Sequence, residues 1–184
     1  MKLLIIILGK TLLFIDRLNN YARKEYRKTL FKKIGNEVYI GNNCTFTEKN
    51  ISIGDFVSIG KLCCFQSTHG EIIIGNNVMF GPNVHIHGGN HVIDKIGELM
   101  SNVDTKKIGD DSFVIIEDDC WIGACSIILK GVTIGRGSVI GAGSIVTHNI
   151  EKYSIYTGCP TQKTRRRFNE LEIAEHELCF KNNK

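Results

Sequence analysis

Aliphatic residues recur every six positions along most of this 184-residue chain, and this period constrains the fold more than any other feature. In the second half of the chain the series is unbroken and consists of Ile116, Ile122, Ile128, Ile134, Ile140 and Val146. The same period occurs earlier and covers most of residues 34–151. A period of six fits neither the 3.6-residue repeat of an α-helix nor the two-residue alternation of a flat sheet.

A small or β-branched residue stands two positions before most of these aliphatic residues. The positions are Val38, Cys44, Val57, Cys63, Val78, Val84, Cys120, Ser126, Val132, Ser138 and Ser144. Two inward positions that flank an outward one describe a short strand followed by a corner, and three such units close a triangular coil. Stacked coils pair each strand with the strands above and below it. The sequence therefore predicts an all-β fold, a parallel β-helix with one continuous aliphatic core.

The period breaks once over a long segment, between Gly88 and Ser112, where few aliphatic residues are in phase. We predict that residues 88–112 form a loop that leaves the solenoid. Long loops in compact domains more often carry function than not, so this loop is a candidate for the active site.

The two ends of the chain differ in composition from the repeats. Residues 1–33 carry nine Lys or Arg against two acidic residues and are rich in helix formers, which predicts a basic amphipathic helix over residues 10–33. The apolar stretch at the start contains Lys10 and is shorter than the roughly 20 residues of a membrane span. Residues 152–184 are predicted to form a basic tail and a short acidic helix over 168–181. Both helices are expected to cover the open ends of the solenoid.

The seven cysteines predict free thiols rather than disulfides. Their number is odd and no two form a Cys-x-x-Cys pair. The chain also lacks a convincing cleavable signal, so we expect reduced thiols in the cytoplasm. Cys44, Cys63 and Cys120 occupy the small inward repeat position and are expected to serve packing.

Three stretches of the chain resemble the hexapeptide-repeat acetyltransferases, in the branch of the maltose and galactoside O-acetyltransferases and many capsule or exopolysaccharide acetyltransferases. These stretches are IGNNVMFGPNVHIHGGNHVID at residues 74–94, IEDDCWIGACSIILKGVTIGRGSVIGAGSIVT at 116–147 and YTGCP at 156–160. The resemblance implies a left-handed β-helix, a homotrimer and active sites in the clefts between subunits. It also implies acetyl-CoA as the co-substrate.

The same resemblance implies that His91 is the catalytic base. A neutral imidazole suits the removal of a hydroxyl proton at neutral pH. Asp94 is a candidate for holding the imidazole in the reactive tautomer, and Glu117 or a backbone carbonyl are the alternatives. Backbone N–H groups near the turn formed by residues 121–124 are candidate donors to the tetrahedral oxyanion.

The resemblance also implies a donor site. Its candidate residues are Trp121, Gly123, Ala124, Ala142, Gly143 and Thr147, followed by Lys163 and Arg165 for the phosphate of CoA. His148 and Gln162 stand where the family commonly has Lys. The donor site thus departs from the family pattern at two cationic positions.

Candidate acceptor-binding residues precede the loop. Lys61 lies near the position where sugar acetyltransferases of this branch have an acceptor-binding Asn, and Asn83 opens the last strand before the loop. His85 and His87 flank an inward Ile and should both point outward, either lining the acceptor cleft or simply lying exposed on the strand. Zinc binding by these two histidines and His91 is disfavoured by their spacing, and no metal is expected.

We therefore predict an acetyl-CoA-dependent O-acetyltransferase that acts on a sugar hydroxyl in surface-polysaccharide assembly. The acceptor is expected to be a sugar, free or linked to a lipid or nucleotide, with no nucleic-acid partner. The basic helix is expected to rest on the anionic inner membrane. The alternatives are N-acetylation of a nucleotide-linked amino sugar and a non-catalytic trimeric β-helix. The sequence specifies neither the acceptor sugar and its hydroxyl nor the length of the acyl group.

Overall fold

The strands of this chain wind into five stacked three-sided coils. The computed structural model describes residues 2–103, 105–106, 109–159 and 162–181. The first three coils contain β1 (Lys33–Ile34), β2 (Tyr39–Ile40), β3 (Thr45–Phe46), β4 (Ile51–Ile53), β5 (Ser58–Ile59), β6 (Cys64–Gln66), β7 (Ile72–Ile74), β8 (Met79–Phe80) and β9 (His85–His87). The next two contain β10 (Val114–Ile116), β11 (Trp121–Ile122), β12 (Ile127–Leu129), β13 (Thr133–Ile134), β14 (Val139–Ile140) and β15 (Ile145–Val146).

Each coil contributes one strand to each of three parallel sheets. Sheet A stacks β1, β4, β7, β10 and β13, sheet B stacks β2, β5, β8, β11 and β14, and sheet C stacks β3, β6, β9, β12 and β15. The registers repeat from coil to coil, so that Trp121 lies between Met79 and Val139 on the outer face of sheet B. The predicted parallel β-helix is confirmed, with a six-residue unit for most strands and corners and longer passages from sheet C to sheet A in the first three coils.

The turn from sheet B to sheet C, called here the B–C corner, has the same backbone shape in every coil. It consists of Asn42-Asn43, Lys61-Leu62, Pro82-Asn83, Ala124-Cys125 and Ala142-Gly143. The second residue of each pair has a positive φ, from 57° to 70°. From coil two onward, the N–H of that residue donates to the first residue of the pair one coil below, as in Leu62 N to Asn42 O at 2.9 Å. The corners therefore stack as one straight column.

The inward repeat positions form one continuous apolar core. Ile122, Ile128 and Ile134 are fully buried, and burial of such a side chain contributes about 1.5–3 kcal/mol. Near the first coils the core is aromatic, since four phenylalanine rings follow one another with centroids 5.0–5.4 Å apart. Cys44, Cys63 and Cys120 are buried among these side chains as predicted, and burial raises the pKa of the Cys120 thiol to about 12.

Two α-helices, two short 3-10 helices (Glu48–Asn50 and Met100–Asn102) and a terminal hairpin complete the described chain, which makes the expected all-β class too narrow. Helix α1 (Lys2–Lys28) begins earlier and ends earlier than predicted, because Lys33 and Ile34 pair with β4 instead of continuing the helix. Strand β16 (Ser154–Gly158) extends sheet B beyond residue 151, and β17 (Gln162–Arg166) pairs with it antiparallel. Helix α2 (Glu170–Lys181) packs on the last coils, where Glu177 contacts Arg136 at 3.1 Å.

The segment at residues 88–112 leaves the solenoid after β9 and returns to β10, as predicted. Gly89 and Asp111 form an antiparallel bridge at its base, and Ser112 N donates to Gly88 O at 2.9 Å. Lys106 contacts the mostly buried carboxylate of Asp111 at 2.7 Å. The base of the loop is thereby fixed against sheet C.

Candidate active site

A row of polar side chains crosses the outer face of β9 towards the loop. His85 and His87 both point outward around the fully buried Ile86, as the sequence predicted, and their ring centroids lie 5.9 Å apart. Asn83 Oδ1 lies 3.4 Å from His85 Nε2. Partial burial lowers the pKa of His87, and the neighbouring His85 lowers it further. The lowered pKa favours the neutral form of the His87 imidazole.

The row ends at a cavity of about 370 Å³ beside the loop. Its lining includes His87, Asn90, His91 and Lys106, together with residues 66–68 of the preceding coil. The His91 side chain is exposed at this cavity, which leaves its ring accessible to a ligand. The structure therefore brings His91 and His87 to one cavity.

Ser67 is a polar residue of this cavity that the sequence analysis missed. Its hydroxyl oxygen is buried and has no hydrogen-bond partner within the described residues. A Cβ at Gly88 would stand 2.3 Å from this oxygen, so the close approach depends on glycine. A buried hydroxyl without a partner is costly, so Ser67 Oγ is an unsatisfied polar group in the wall of the cavity.

The two candidate carboxylates for orienting His91 lie in different parts of the fold. Glu117 follows β10, where its Oε2 accepts the N–H of Arg136 at 2.8 Å and lies 3.9 Å from Lys152. Glu117 is thus engaged with a corner of its own chain that is separate from the loop. Asp94 is an exposed residue of the loop itself. Of the two carboxylates, Asp94 therefore remains the candidate for orienting His91, because it lies in the same loop.

The candidate donor residues lie on sheet B and on the B–C corner. Trp121 projects outward from β11 and is 51% exposed. Ala124 and Ala142 stand one above the other in the corner column. Gly123 N–H donates to Ile140 O at 2.7 Å, and Cys125 N–H donates to Pro82 O at 3.0 Å. Among the described residues the N–H of Ala124 has no acceptor, which makes it the available backbone donor of this turn.

The other candidate donor residues are near the chain's end. Thr147 Oγ1 lies 3.4 Å from His148 Nδ1 on an exposed turn. Lys163 and Arg165 are exposed on β17, and alternation along a strand places them on the same face. The predicted basic tail is therefore a strand at these residues. Pro160 and Thr161 of the matched ending lie outside the described residues.

The candidate residues of one chain thus fall into two groups. His85, His87 and His91 lie on sheet C and the loop, whereas Trp121 lies on sheet B. Lys61 and Asn83 stand in the corner column below Ala124. Within the described residues, no group of three or more His, Cys, Asp or Glu side chains could hold a metal ion.

Comparison with known proteins gives relatives along most of the chain. Residues 113–148 match the family model described as the hexapeptide repeat of succinyl-transferase. The chain is 32% identical over 181 residues to a galactoside O-acetyltransferase of Lactococcus lactis, covering 91% of this chain and 81% of the relative.

Solved structures give the same likeness. A maltose O-acetyltransferase from Clostridium difficile is 33% identical with a TM-score of 0.68, covering 80% of this chain and 75% of that one. A hexapeptide-repeat acetyltransferase from Vibrio cholerae, complexed with acetyl coenzyme A, is 26% identical with a TM-score of 0.71. The match covers 81% of this chain and 78% of that one.

Proposed function

Because this chain belongs to the hexapeptide-repeat acetyltransferase family, we propose that it transfers an acetyl group from acetyl-CoA to a sugar hydroxyl, with His91 as the catalytic base. The observation that carries the proposal is the exposed imidazole of His91 at a polar cavity beside β9. A cavity open to solvent and lined by hydrogen-bonding groups suits a polyhydroxyl acceptor. We extend the family's left-handed coil to this chain as part of the same proposal.

The reaction needs one proton acceptor and one oxyanion donor. The unprotonated nitrogen of His91 takes the proton of the hydroxyl while the hydroxyl oxygen bonds to the thioester carbonyl carbon. The tetrahedral oxyanion accepts a hydrogen bond from the Ala124 N–H. When the carbon–sulfur bond breaks, the CoA thiolate leaves with the proton that His91 held. The products are an acetyl ester and CoA.

The remaining candidates hold the two substrates. Asn83, His85 and His87 would contact the acceptor beside His91. Trp121 would line the pantetheine path. Lys163 and Arg165 share one face of β17 and would contact a phosphate of CoA by charge-assisted hydrogen bonds. Asp94 would orient His91 from within the loop.

A homotrimer would unite the two groups of residues. His91 lies beyond sheet C whereas Trp121 lies on sheet B, so a cleft between two copies brings the base of one chain to the donor path of the next. Exposed apolar side chains on the outer face of sheet B, including Tyr39, Met79 and Trp121, support such an interface. Each active site would then contain residues of two chains.

The proposed catalysis is tested by the variant His91→Ala. Loss of a general base lowers kcat by about 100-fold or more. CoA release from acetyl-CoA is measured with sugar hydroxyl acceptors and with the corresponding amino sugars. His69→Ala, which removes an exposed histidine outside the cavity, is the matched control. Undiminished acetyl transfer by His91→Ala rules out the proposed base, and transfer to amino sugars alone identifies an N-acetyltransferase.

We further propose that α1 attaches the enzyme to an anionic membrane surface, at the inner leaflet where lipid-linked sugars are found. Leu4, Ile7 and Leu18 share one side of α1 and are more than half exposed. Lys10 and Arg17 flank this side, which gives the apolar and basic character of an interfacial helix. In the part of the chain that the structure describes, no helix has both the length and the apolar composition of a membrane span. The contact would therefore be peripheral.

Vesicle flotation tests this attachment. The full chain should float with vesicles of phosphatidylglycerol and phosphatidylcholine at low salt, and the variant Ile7→Gln/Leu18→Gln should not. Leu171→Gln/Leu178→Gln removes two exposed leucines from α2 and should float normally. Equal flotation of the two double variants would show that α1 only covers the first coil.

A further inference from the structure

A second cavity, of about 490 Å³, lies between α1 and the first coil. Its lining includes Arg23, Lys24, Arg27, Asn42, Asn43 and Glu48. Three cations against one carboxylate leave two positive charges at the cavity. Asn42 and Asn43 are the first members of the B–C corner column, so this cavity lies at one end of the column that carries Lys61, Asn83 and Ala124.

Arg27 has a structural task that explains its position. In later coils, the carbonyl that follows the corner accepts a backbone N–H from the coil below, as Cys63 O accepts Thr45 N at 2.9 Å. The first coil has no coil below it, and Arg27 Nη1 donates to Cys44 O at 2.7 Å instead. Arg27 Nε also lies 3.2 Å from Glu48. The guanidinium of Arg27 is therefore already occupied, and its charge is balanced by Glu48.

The same absence of a lower coil leaves a backbone donor at the cavity. In the second and third coils, the equivalent N–H groups of Leu62 and Asn83 donate to the coil below. Asn43 has the same positive φ, but its N–H has no acceptor among the residues that the structure describes. The corner therefore presents an unused N–H where α1 crosses the first coil.

Arg23 and Lys24 supply the uncompensated charge. Neither forms an ion pair with a carboxylate within the described ranges, whereas Arg27 and Lys28 of the same helix do. The Lys24 ammonium lies 5.6 Å from the centre of the Tyr39 ring. Two cations without a carboxylate partner in the described ranges, beside a backbone N–H, are the groups that bind a phosphate or diphosphate.

The distance from this cavity to the candidate acceptor residues suits a sugar phosphate. Stacked strands are about 4.8 Å apart, so Asn83 and its neighbour His85 lie roughly 10 Å, or two coils, along the column. Lys61 lies between the cavity and Asn83, in the second coil. A saccharide whose phosphate lies under α1 would extend over the second and third coils towards the histidine row.

Building on the proposed O-acetyltransferase, we propose that the acceptor is a saccharide linked to a phosphate or diphosphate, and that Arg23, Lys24 and the Asn43 N–H bind this phosphate. A nucleoside diphosphate sugar and a lipid diphosphate sugar share the recognised group. Both place the sugar on the corner column with the phosphate anchored at the first coil. The neutral sugar alone would lack this anchor.

Direct binding tests the anion site independently of catalysis. Inorganic pyrophosphate is titrated calorimetrically into the full chain saturated with CoA, so that the phosphate contacts of the donor site are occupied. Arg23→Gln/Lys24→Gln should weaken pyrophosphate binding by about tenfold or more, because it removes both charge-assisted contacts. Lys33→Gln/Lys49→Gln removes the same charge from two exposed positions of the first coil outside the cavity, and should change binding less than twofold. Equal binding by the two double variants, or no binding by the wild type, overturns the proposal.

Acetyl transfer then separates the two possible sources of the phosphate. KM is measured for a nucleoside diphosphate sugar, for a lipid diphosphate sugar in detergent and for the methyl glycoside of the same sugar. Arg23→Gln/Lys24→Gln should raise KM for one or both phosphorylated acceptors by about tenfold and leave the methyl glycoside unchanged. An equal rise for all three acceptors overturns the phosphate assignment. Pyrophosphate binding that depends on Arg23 and Lys24, without acetyl transfer to any sugar, would uphold the anion site and refute the O-acetyltransferase.

Discussion

Gly123 lies against the backbone of the next coil, and its lack of a side chain permits that contact. A Cβ at this position would stand 2.5 Å from Ala142 N and 2.7 Å from Ile140 O. Backbone atoms of a stacked coil cannot move aside separately, so Gly123→Ala should lower the free energy of unfolding by about 1–3 kcal/mol. Urea denaturation followed by circular dichroism measures this change.

Gly9→Ala is the matched control for that substitution. A Cβ at Gly9 would meet no heavy atom within 4 Å, and alanine favours the interior of a helix by about 0.5–1 kcal/mol. Gly9→Ala should therefore leave the stability unchanged or raise it. Wild-type stability of Gly123→Ala would show that the coils can separate at the donor corner without cost.

Single positions were predictable where the six-residue period fixes them. The period places Ile128 inside and His85 outside, and both positions are confirmed. Ser67 could not be predicted in this way, because the six-residue period is interrupted after Phe65 and the burial of Ser67 depends on the close approach of Gly88 from the next coil. Such a contact joins residues far apart in sequence and leaves no local pattern.

At the scale of elements, Arg27 joins α1 to the first coil. Arg27→Met keeps the length of the side chain but removes the donor to Cys44 O and the contact with Glu48. An unpaired carbonyl at the end of the solenoid should lower the free energy of unfolding by about 1 kcal/mol. Hydrogen exchange should quicken first at the amides of the first coil, such as Thr45, which donates to Cys63 O.

Lys28→Met controls for the loss of positive charge from the same turn of α1. Among the described residues, Lys28 forms an ion pair with Glu25 of its own helix at 3.0 Å and with no residue of the coils, and such a partly exposed pair contributes about 0.3–0.5 kcal/mol. Hydrogen exchange in the first coil should be unaffected. If both variants accelerate exchange there equally, charge rather than the Cys44 carbonyl explains the effect.

The elements differ in how far their sequences specify them. A buried strand repeats the six-residue pattern, whereas β17 consists of Gln162 to Arg166, is exposed throughout and has no apolar alternation. Its strand conformation comes from pairing with β16, which a local pattern does not reveal. The predicted end of α1 is too late for a similar reason, because Lys33 and Ile34 pair with β4 in sheet A.

At the scale of the whole molecule, the fold separates groups that the proposed chemistry must join. The repeat predicts the solenoid and the loop from the sequence, but it contains no information about how copies of the solenoid meet. His91 follows sheet C and Trp121 lies on sheet B. The proposed site needs both residues, so it would depend on the proposed trimer, whose contact surfaces no local sequence pattern specifies.

Complementation between two inactive variants tests this dependence. His91→Ala lacks the base, and Ala142→Trp places a large ring at an exposed position of the donor corner without disturbing the core. If each site takes its base from one chain and its donor corner from the next, trimers of the two variants mixed at random have about a quarter of their sites intact. Co-expressed variants should therefore recover about a quarter of the wild-type kcat, although each variant alone is inactive. No recovery in verified mixed trimers would mean that each chain carries its own complete site, because every subunit would then retain one of the two defects.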